Sequence, residues 1–219
     1  TAVGYNCLSD VTDGDHNTAV GHDALENVTT GSYNTAVGRD AGRNIVTGSN
    51  NLCLGENTND ADDTTGVIAL GSFALSANQA DYNVGMGYFA MRLNTTGSSN
   101  IAIGGNALES NTTGSNNTAV GGNALVANTT GVSNVAVGKD ALKSNVTHSN
   151  NTAIGAFALE DNTAAGNTAV GEVSMNKNTT GTENVALGFD SLYDNTTGSY
   201  NTALGTYALE DNTTANYNV

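Results

Sequence analysis

The sequence contains no proline and no tryptophan, and aromatic residues make up only 5% of its 219 residues. Cations are also scarce, because six lysine and arginine residues face 21 aspartate and glutamate residues, for a formal net charge of −15. Nucleic-acid binding and polybasic attachment to anionic lipid both require basic patches, which this composition excludes. No run approaches the roughly 18 apolar residues of a membrane span, so we expect neither a nucleic-acid partner nor membrane insertion.

One short sequence repeat, which we also call the phrase, extends over the whole chain. Its reference point is a glycine that recurs thirteen times, with a period of 17 in nine of the intervals and of 16 in the other three. This repeat glycine occurs at Gly4, Gly21, Gly38, Gly55, Gly71, Gly87, Gly104, Gly121, Gly138, Gly155, Gly171, Gly188 and Gly205. An unbroken short period indicates a solenoid. We therefore expect one repeat array over residues 1–219, without a second domain.

The residues before the repeat glycine predict a short strand. The residue directly before it is apolar in all thirteen copies, the residue two before is alanine in eleven, and the residue three before is threonine or a branched aliphatic residue. Side chains alternate faces along a strand, so the threonine and the large apolar residue share one face and the alanine lies on the other. The β-branched bias favours a strand over a helix.

The rest of each copy predicts a bend and a turn. An Ala-Leu pair follows the glycine, and then a polar Asn-Thr-Thr-Gly loop, whose Asn and Gly are expected to supply left-handed backbone angles. The recurrent Asn-x-Thr sequons, such as Asn111 and Asn195, arise from this turn phrase. Each copy of the phrase is therefore one coil, and the coils stack in parallel into an all-β solenoid or β-roll of about thirteen coils.

Stacking turns each position of the repeat into a ladder along the axis. Asparagine stands four residues before the repeat glycine in most copies, from Asn17 to Asn201, and its amides are expected to bond to one another and to turn backbone. Each coil offers about two large aliphatic side chains, worth roughly 1.5–3 kcal/mol apiece, against an ordering cost of roughly 1.5 kcal/mol per residue. Other copies of the chain must cover the large apolar face, which predicts an intertwined or side-by-side parallel homotrimer.

The phrases "NTAVG", "NTAIG" and "NVALG" are similar to the "NSVAIG"-type motif of trimeric autotransporter adhesin heads. The longer phrase "NTAVGxxALxxNTTGSYN" resembles the repeats of bacteriophage tail-fibre proteins, and the resemblance covers the whole chain. It implies a left-handed parallel β-roll in a homotrimer, located in a virion tail fibre or at a cell surface. It also implies further fibre segments at both ends and a host glycan or protein bound through another domain. Because neither end carries a polar capping repeat, we expect a segment of a longer fibre.

Three functions fit these expectations. The favoured one is the structural shaft of a phage or virus-like extracellular appendage, a straight rod of roughly 60 Å at about 4.8 Å per coil, which projects a receptor-binding tip. The alternative is a cell-surface trimeric adhesin whose β-roll itself binds a host ligand. The third is an ice- or surface-binding threonine-rich solenoid, which needs an outward ladder of threonine. Aliphatic residues in the threonine position, such as Ile68 and Val135, indicate burial instead.

No catalytic constellation interrupts the repeat, so we expect neither an enzyme nor a cofactor. The one acidic loop, "ENTNDADDTTG", places Asp60, Asp62 and Asp63 where they could hold a hard cation such as Ca²⁺. Their spacing matches neither the EF-hand nor the calcium-binding nonapeptide of β-rolls. A local bulge in one of the shorter coils is therefore the favoured interpretation of this loop.

The remaining metal-ligating residue types are interpreted as structural or solvated. His16, His22 and His148 have no ligand residue at a recurrent metal spacing and are expected to lie in solvent. Cys7 and Cys53 replace alanine three coils apart, roughly 14 Å along the axis, whereas a disulfide requires Cα atoms within about 7 Å. Both are therefore expected to be buried free thiols.

Overall fold

The computed structural model describes residues 1–60 and 63–219, and its contacts divide the chain into two units, Thr1–Thr113 and Gly114–Val219. Each unit is a stack of parallel coils, and no helix forms in the described residues. The prediction of an all-β parallel solenoid is confirmed. Each coil of the repeat supplies one strand, so the coil and the strand share one numbering.

The strands are two or three residues long and end directly before the repeat glycine. Those of the first unit are β1 (Ala2–Val3), β2 (Thr18–Val20), β3 (Thr35–Val37), β4 (Leu52–Leu54), β5 (Ile68–Leu70), β6 (Val84–Met86) and β7 (Ile101–Ile103). Those of the second unit are β8 (Thr118–Val120), β9 (Val135–Val137), β10 (Thr152–Ile154), β11 (Thr168–Val170), β12 (Val185–Leu187) and β13 (Thr202–Leu204).

Within each unit the strands pair in parallel, in chain order, and equal positions of the repeat lie opposite one another. Thr18 is opposite Thr35, its equivalent in the next coil. The shorter coils keep this register, since Thr152 is opposite Thr168. The missing residue is taken from the loop, so a change in coil length does not shift which side chains face the core.

The two faces of the strands divide as the alternation predicts. The central residue of each strand from β2 onward is buried: Ala19, Ala36, Cys53, Ala69, Gly85, Ala102, Ala119, Ala136, Ala153, Ala169, Ala186 and Ala203. It packs towards the Ala-Leu pair on the far side of the coil, where Leu25, Leu75 and Leu125 are fully buried. The residues one and three before each repeat glycine flank the buried central residue and point outward. We call the two rows that they form the strand face.

The segment that carries the Ala-Leu pair is a run of overlapping turns, not a second strand. Ala74 N–H donates to Gly71 O at 3.0 Å, and Asn78 N–H donates to Leu75 O at 3.0 Å. The same segment is also bonded to the next coil, since Leu25 N–H donates to Ala41 O at 3.0 Å. Backbone hydrogen bonds therefore join neighbouring coils around most of their circumference, not only along the strands.

The left-handed backbone angles lie elsewhere than expected. Besides the repeat glycine itself, they occur two and four residues after it and five before it, as at Asp23 (φ 55°), Leu25 (φ 49°) and Tyr33 (φ 60°). The loop glycine of the Asn-Thr-Thr-Gly phrase is not left-handed, so that prediction is wrong. Gly31 is glycine because a Cβ there would collide with the carbonyl oxygen of Gly48 on the next coil.

The predicted asparagine ladder is confirmed in both units. In this first ladder, four residues before the repeat glycine, Asn34 donates from Nδ2 to Gly48 O at 2.9 Å and accepts from Asn51 N–H at 3.0 Å through Oδ1. A second ladder, seven residues after the repeat glycine, was not foreseen. There Asn94 Nδ2 donates to Asn78 Oδ1, and Asn111 Nδ2 donates to Asn94 Oδ1, both at 2.7 Å. The sequon asparagines of this ladder from Asn94 to Asn195 are buried coil-to-coil links.

Candidate functional site

The strand face is an exposed and largely apolar surface that the repeat extends from strand to strand. Its residues stand one and three before each repeat glycine, and none of them is charged. From β4 to β7 every member is Leu, Ile, Val or Met. Val37, Leu54 and Ile103 remain 37–41% exposed although they belong to a hydrogen-bonded sheet. An ordered apolar surface of this kind is typical of a site that contacts another molecule.

The threonine row of the strand face also points outward. Thr118, Thr152 and Thr168 are half-buried on the second unit, and the aliphatic residues in the same row, Ile68 and Val185, are 36–37% exposed. The single chain leaves this row partly exposed, so the burial predicted for it would have to come from other copies of the chain. Because side chains alternate along a three-residue strand, the threonine row lies on the same face as the large apolar row. Only the small residue between them reaches the core.

None of the six lysine and arginine residues belongs to the strand face, and all except Lys139 pair with an acid one coil away. Arg43 Nε lies 2.7 Å from Glu26, Arg92 Nη2 lies 2.8 Å from Glu109, and Lys177 Nζ lies 2.7 Å from Asp194.

Lys143 and Arg39 extend this pattern of coil-to-coil ion pairs. Lys143 Nζ lies 3.2 Å from Glu160, and Arg39 contacts Glu56. The hydrogen bond to Glu160 raises the pKa of Lys143. Exposed pairs of this kind contribute little to stability, because water and salt screen their attraction. Because acids outnumber cations, the surface outside the strand face stays strongly acidic.

The residue five before the repeat glycine forms aromatic stacks between neighbouring coils. The rings of His16 and Tyr33 lie 4.8 Å apart and 8° from parallel, and those of Tyr200 and Tyr217 lie 5.1 Å apart and 4° from parallel. Tyr33, Tyr200 and Tyr217 are exposed. The expectation of solvated histidine holds for His16, whose side chain stacks on an exposed ring.

The acidic loop places its described carboxylates against separate partners. Asp63 Oδ1 accepts from the N–H groups of Val46 at 3.2 Å and Thr47 at 2.6 Å, and these backbone hydrogen bonds lower the pKa of Asp63. Burial, and then the Asp40 carboxylate, raise the pKa of Asp60 to about 6. Asp62, the third member of the predicted calcium set, lies outside the described residues. Asp63 therefore caps the backbone of the preceding coil.

The histidines and cysteines depart in part from the sequence interpretation. His148 is half-buried, and its carbonyl oxygen accepts from Nδ2 of Asn134 and of Asn145, each at 2.9 Å. Both cysteines are free thiols, as predicted. Cys53 is fully buried, and burial raises its pKa to about 12. Cys7 is only half-buried and donates from Sγ to Gly21 O at 2.6 Å.

His22 is not an isolated surface histidine. His22, Asp23 and Asp40 each offer one metal-ligating atom, and the three atoms lie within 4.8 Å of one another. Asp40 stands one full coil after Asp23, so the coil register brings the two carboxylates together. A search for short metal-ligand spacings misses this group, whereas reading the sequence one coil at a time would have found it.

No protein-family model matches the chain, and neither a curated protein nor a solved structure matches it. Nowhere in residues 1–60 and 63–219 is there a helix long and apolar enough to cross a membrane. The functional assignment therefore depends on the repeat and on the surfaces that the coils present.

Proposed function

We propose that this chain is a segment of the structural shaft of a phage or virus-like extracellular fibre, which projects a receptor-binding tip. The observation that carries this proposal is the uncharged apolar strand face, which every strand from β2 onward extends by two outward side chains. A surface with this repeat is suited to continuous association along an axis. It is less suited to a single compact ligand, which would be matched by convergent polar groups at one place.

The strand face is covered, in this proposal, by two further copies of the chain in a parallel homotrimer. On β7, where Ile101 and Ile103 are 38–39% exposed, the two outward side chains leave on the order of 100 Å² of apolar surface. Several such coils in a unit leave a continuous apolar strip, which each chain of a trimer would divide between its two neighbours. Parallel copies would place equal repeat positions at equal heights, so the same contacts would recur from coil to coil.

The hydrogen-bonded interior suits a stiff shaft. Each coil satisfies its backbone and its buried asparagine amides through the coils on either side, so a bend would break many bonds at once. The acidic surface outside the strand face keeps neighbouring fibres apart and soluble. In this proposal the segment acts as a rigid spacer that holds the receptor-binding tip away from the particle. Receptor binding belongs to another domain.

Electron microscopy of the purified chain, combined with a glycan array, tests this function. We expect straight, unbranched rods of uniform length, about 4.8 Å per coil, and no glycan binding by this segment. Globular or kinked particles would contradict a shaft. Strong, saturable glycan binding by the segment alone would favour the cell-surface adhesin, in which the roll itself touches the host.

The outward threonine row favours one further candidate, a solenoid that binds ice or another ordered surface. On the second unit Thr152 and Thr168 stand opposite each other on neighbouring strands beside Ile154 and Val170. Leu52 and Ile68 interrupt this row on the first unit, which is why the shaft is preferred. Thermal hysteresis of the purified chain that is lost in Thr152→Leu would support the surface binder, and its absence supports the shaft.

A further inference from the structure

We propose that His22, Asp23 and Asp40 bind one divalent first-row transition-metal ion, for which Zn²⁺ is the reference. His22 and Asp23 follow the repeat glycine of one coil, and Asp40 occupies the position of Asp23 on the next coil. Their ligand atoms lie within 4.8 Å of one another. One ion at metal–ligand distances of about 2.0–2.2 Å requires ligand atoms no more than about 4.4 Å apart, so the side chains need to close by only a few tenths of an ångström around it.

Among the described residues, no donor lies between the carboxylates of Asp23 and Asp40, and one carboxylate oxygen of Asp23 is left without a hydrogen bond. An ionised carboxylate can only accept, so Asp23 and Asp40 cannot bond to each other. Asp23 is 7% exposed, and its Oδ1 is buried without a partner in the described part of the chain. The same position on the second unit holds Asn123 and Asp140, where Asn123 Nδ2 donates to Asp140 Oδ1 at 3.0 Å. The Asp23–Asp40 pair lacks this donor, and a cation would take its place.

The nearby cations do not neutralise this pair. Arg39 Nη1 lies 3.5 Å and Arg43 Nη1 lies 3.7 Å from Asp40, but each arginine makes its shorter contact with another acid, Glu56 and Glu26 respectively. Four carboxylates therefore share two guanidinium groups. Asp60 also lies close enough to Asp40 for the two carboxylates to repel each other, so negative charge remains in excess, and burial of Asp23 strengthens its attraction for a divalent cation.

The donor set selects the class of metal. One imidazole nitrogen with two carboxylate oxygens suits zinc and its first-row neighbours, whereas Ca²⁺ and Mg²⁺ prefer oxygen ligands. His22 Nδ1 lies 2.9 Å from Asp23 Oδ2, and its ring stacks on Tyr5 at 5.1 Å, so the imidazole is already oriented. The His22 side chain is 56% exposed, which leaves the remaining coordination positions to water.

Isothermal titration of the full, tag-free and EDTA-treated chain with ZnCl₂ tests the site. We expect one saturable zinc per chain, a zinc-dependent rise in the thermal midpoint, and no such response to CaCl₂. The informative variant is Asp23→Asn, which recreates the Asn–Asp pair of the second unit. It should lose zinc affinity at least tenfold and yet unfold at a higher temperature than the unchanged protein in EDTA, because the introduced amide donates to Asp40.

Two histidine variants separate the site from general attraction to an acidic surface. His22→Ala should lose zinc affinity at least tenfold, whereas His16→Ala, which removes an exposed stacked ring on the same unit, should keep it. The proposal is overturned if the unchanged chain shows no saturable zinc heat, if Asp23→Asn binds zinc as tightly as the unchanged chain, or if the two histidine variants behave alike.

Discussion

At the residue scale, the fold depends on left-handed positions that are filled by residues other than glycine. Leu125 (φ 52°) is fully buried, and Ser133 (φ 56°) is exposed. A left-handed angle costs a residue with a Cβ roughly 1–2 kcal/mol. Burial of a leucine contributes about 1.5–3 kcal/mol, so the strained leucine positions are offset by the core that they build. The exposed left-handed positions, such as Ser133, bury no apolar side chain, so their backbone strain is not offset in this way.

Ser133 therefore gives a direct test of backbone strain. Ser133→Gly should raise the free energy of unfolding by about 0.5–1 kcal/mol, because glycine adopts φ near +56° without a steric cost. Ser133→Val should lower it by at least roughly 1 kcal/mol, since a β-branched residue is strongly disfavoured there. Urea unfolding measures both values. Equal stability of the two variants would show that this position carries no strain.

Cys53 links stability to alkaline pH. The thiol is buried, and its folded-state pKa of about 12 lies above the ordinary value of 9.0. The unfolded thiol ionises first as the pH rises, so the stabilising contribution is complete below pH 9 and is lost between pH 9 and about 12. At pH 10.5 the loss should reach roughly 2 kcal/mol. Cys53→Ala restores the residue usual at this position and should remove that part of the loss in urea unfolding at pH 8 and 10.5.

At the element scale, the unit of stability is the coil together with its neighbours. A strand of three residues and a run of turns cannot satisfy their own backbone, and the two asparagine ladders cannot form within one coil. The side chain of Asn134 shows the dependence, because it donates to His148 O at 2.9 Å and accepts from Asn151 N–H at 3.0 Å. Each buried amide therefore joins a coil to the coil that follows it.

Removal of one ladder amide should destabilise the coils on either side of it. Asn134→Ala leaves the buried N–H of Asn151 without its acceptor and removes one of the two amides that donate to His148 O, so we expect the free energy of unfolding to fall by about 1–3 kcal/mol. Thr130→Ala changes an exposed loop side chain of the preceding turn and should change stability by less than about 0.5 kcal/mol. A small effect of Asn134→Ala in urea unfolding would contradict a structural role for the ladder.

The sequence was sufficient to predict the coil, the strand position and the direction of the alanine row, because each follows from a strict repeat of residue types. It did not predict that Leu25 is left-handed, since leucine carries no signal for that angle and the reason lies in packing. The second asparagine ladder was missed because Asn111 and its equivalents were interpreted as turn residues. The His22 group was missed because Asp40 becomes its neighbour only through the register of the coils.

At the scale of the whole molecule, the proposed homotrimer accounts for the face that a single chain leaves uncovered. Val120 and Val137 of the large apolar row lie opposite each other on β8 and β9 and are only half-buried. The alanine row between the two outward rows is already buried inside the coil. Further burial of the strand face therefore requires another molecule, and equal positions on equal copies offer the simplest complement.

A charge on the strand face should disrupt this assembly. Val137→Asp would place a carboxylate in each copy at the proposed axis, and we expect loss of the oligomer or a large fall in its thermal midpoint. Gly122→Asp is the matched control, because Gly122 is exposed and a Cβ there meets no neighbouring atom. Lys139 is unsuitable as a control, since it lies 3.7 Å from the buried Asp140. Similar thermal midpoints for Val137→Asp and Gly122→Asp would contradict the assignment of the strand face as an interface.

The mass of the purified chain in solution tests most directly whether copies of the chain cover the strand face. Light scattering coupled to size-exclusion chromatography, at micromolar protein concentration, should give three times the chain mass of 22.1 kDa. The trimer should persist on dilution, because a large apolar interface dissociates slowly. A stable, folded particle of one chain mass across that concentration range would contradict the account.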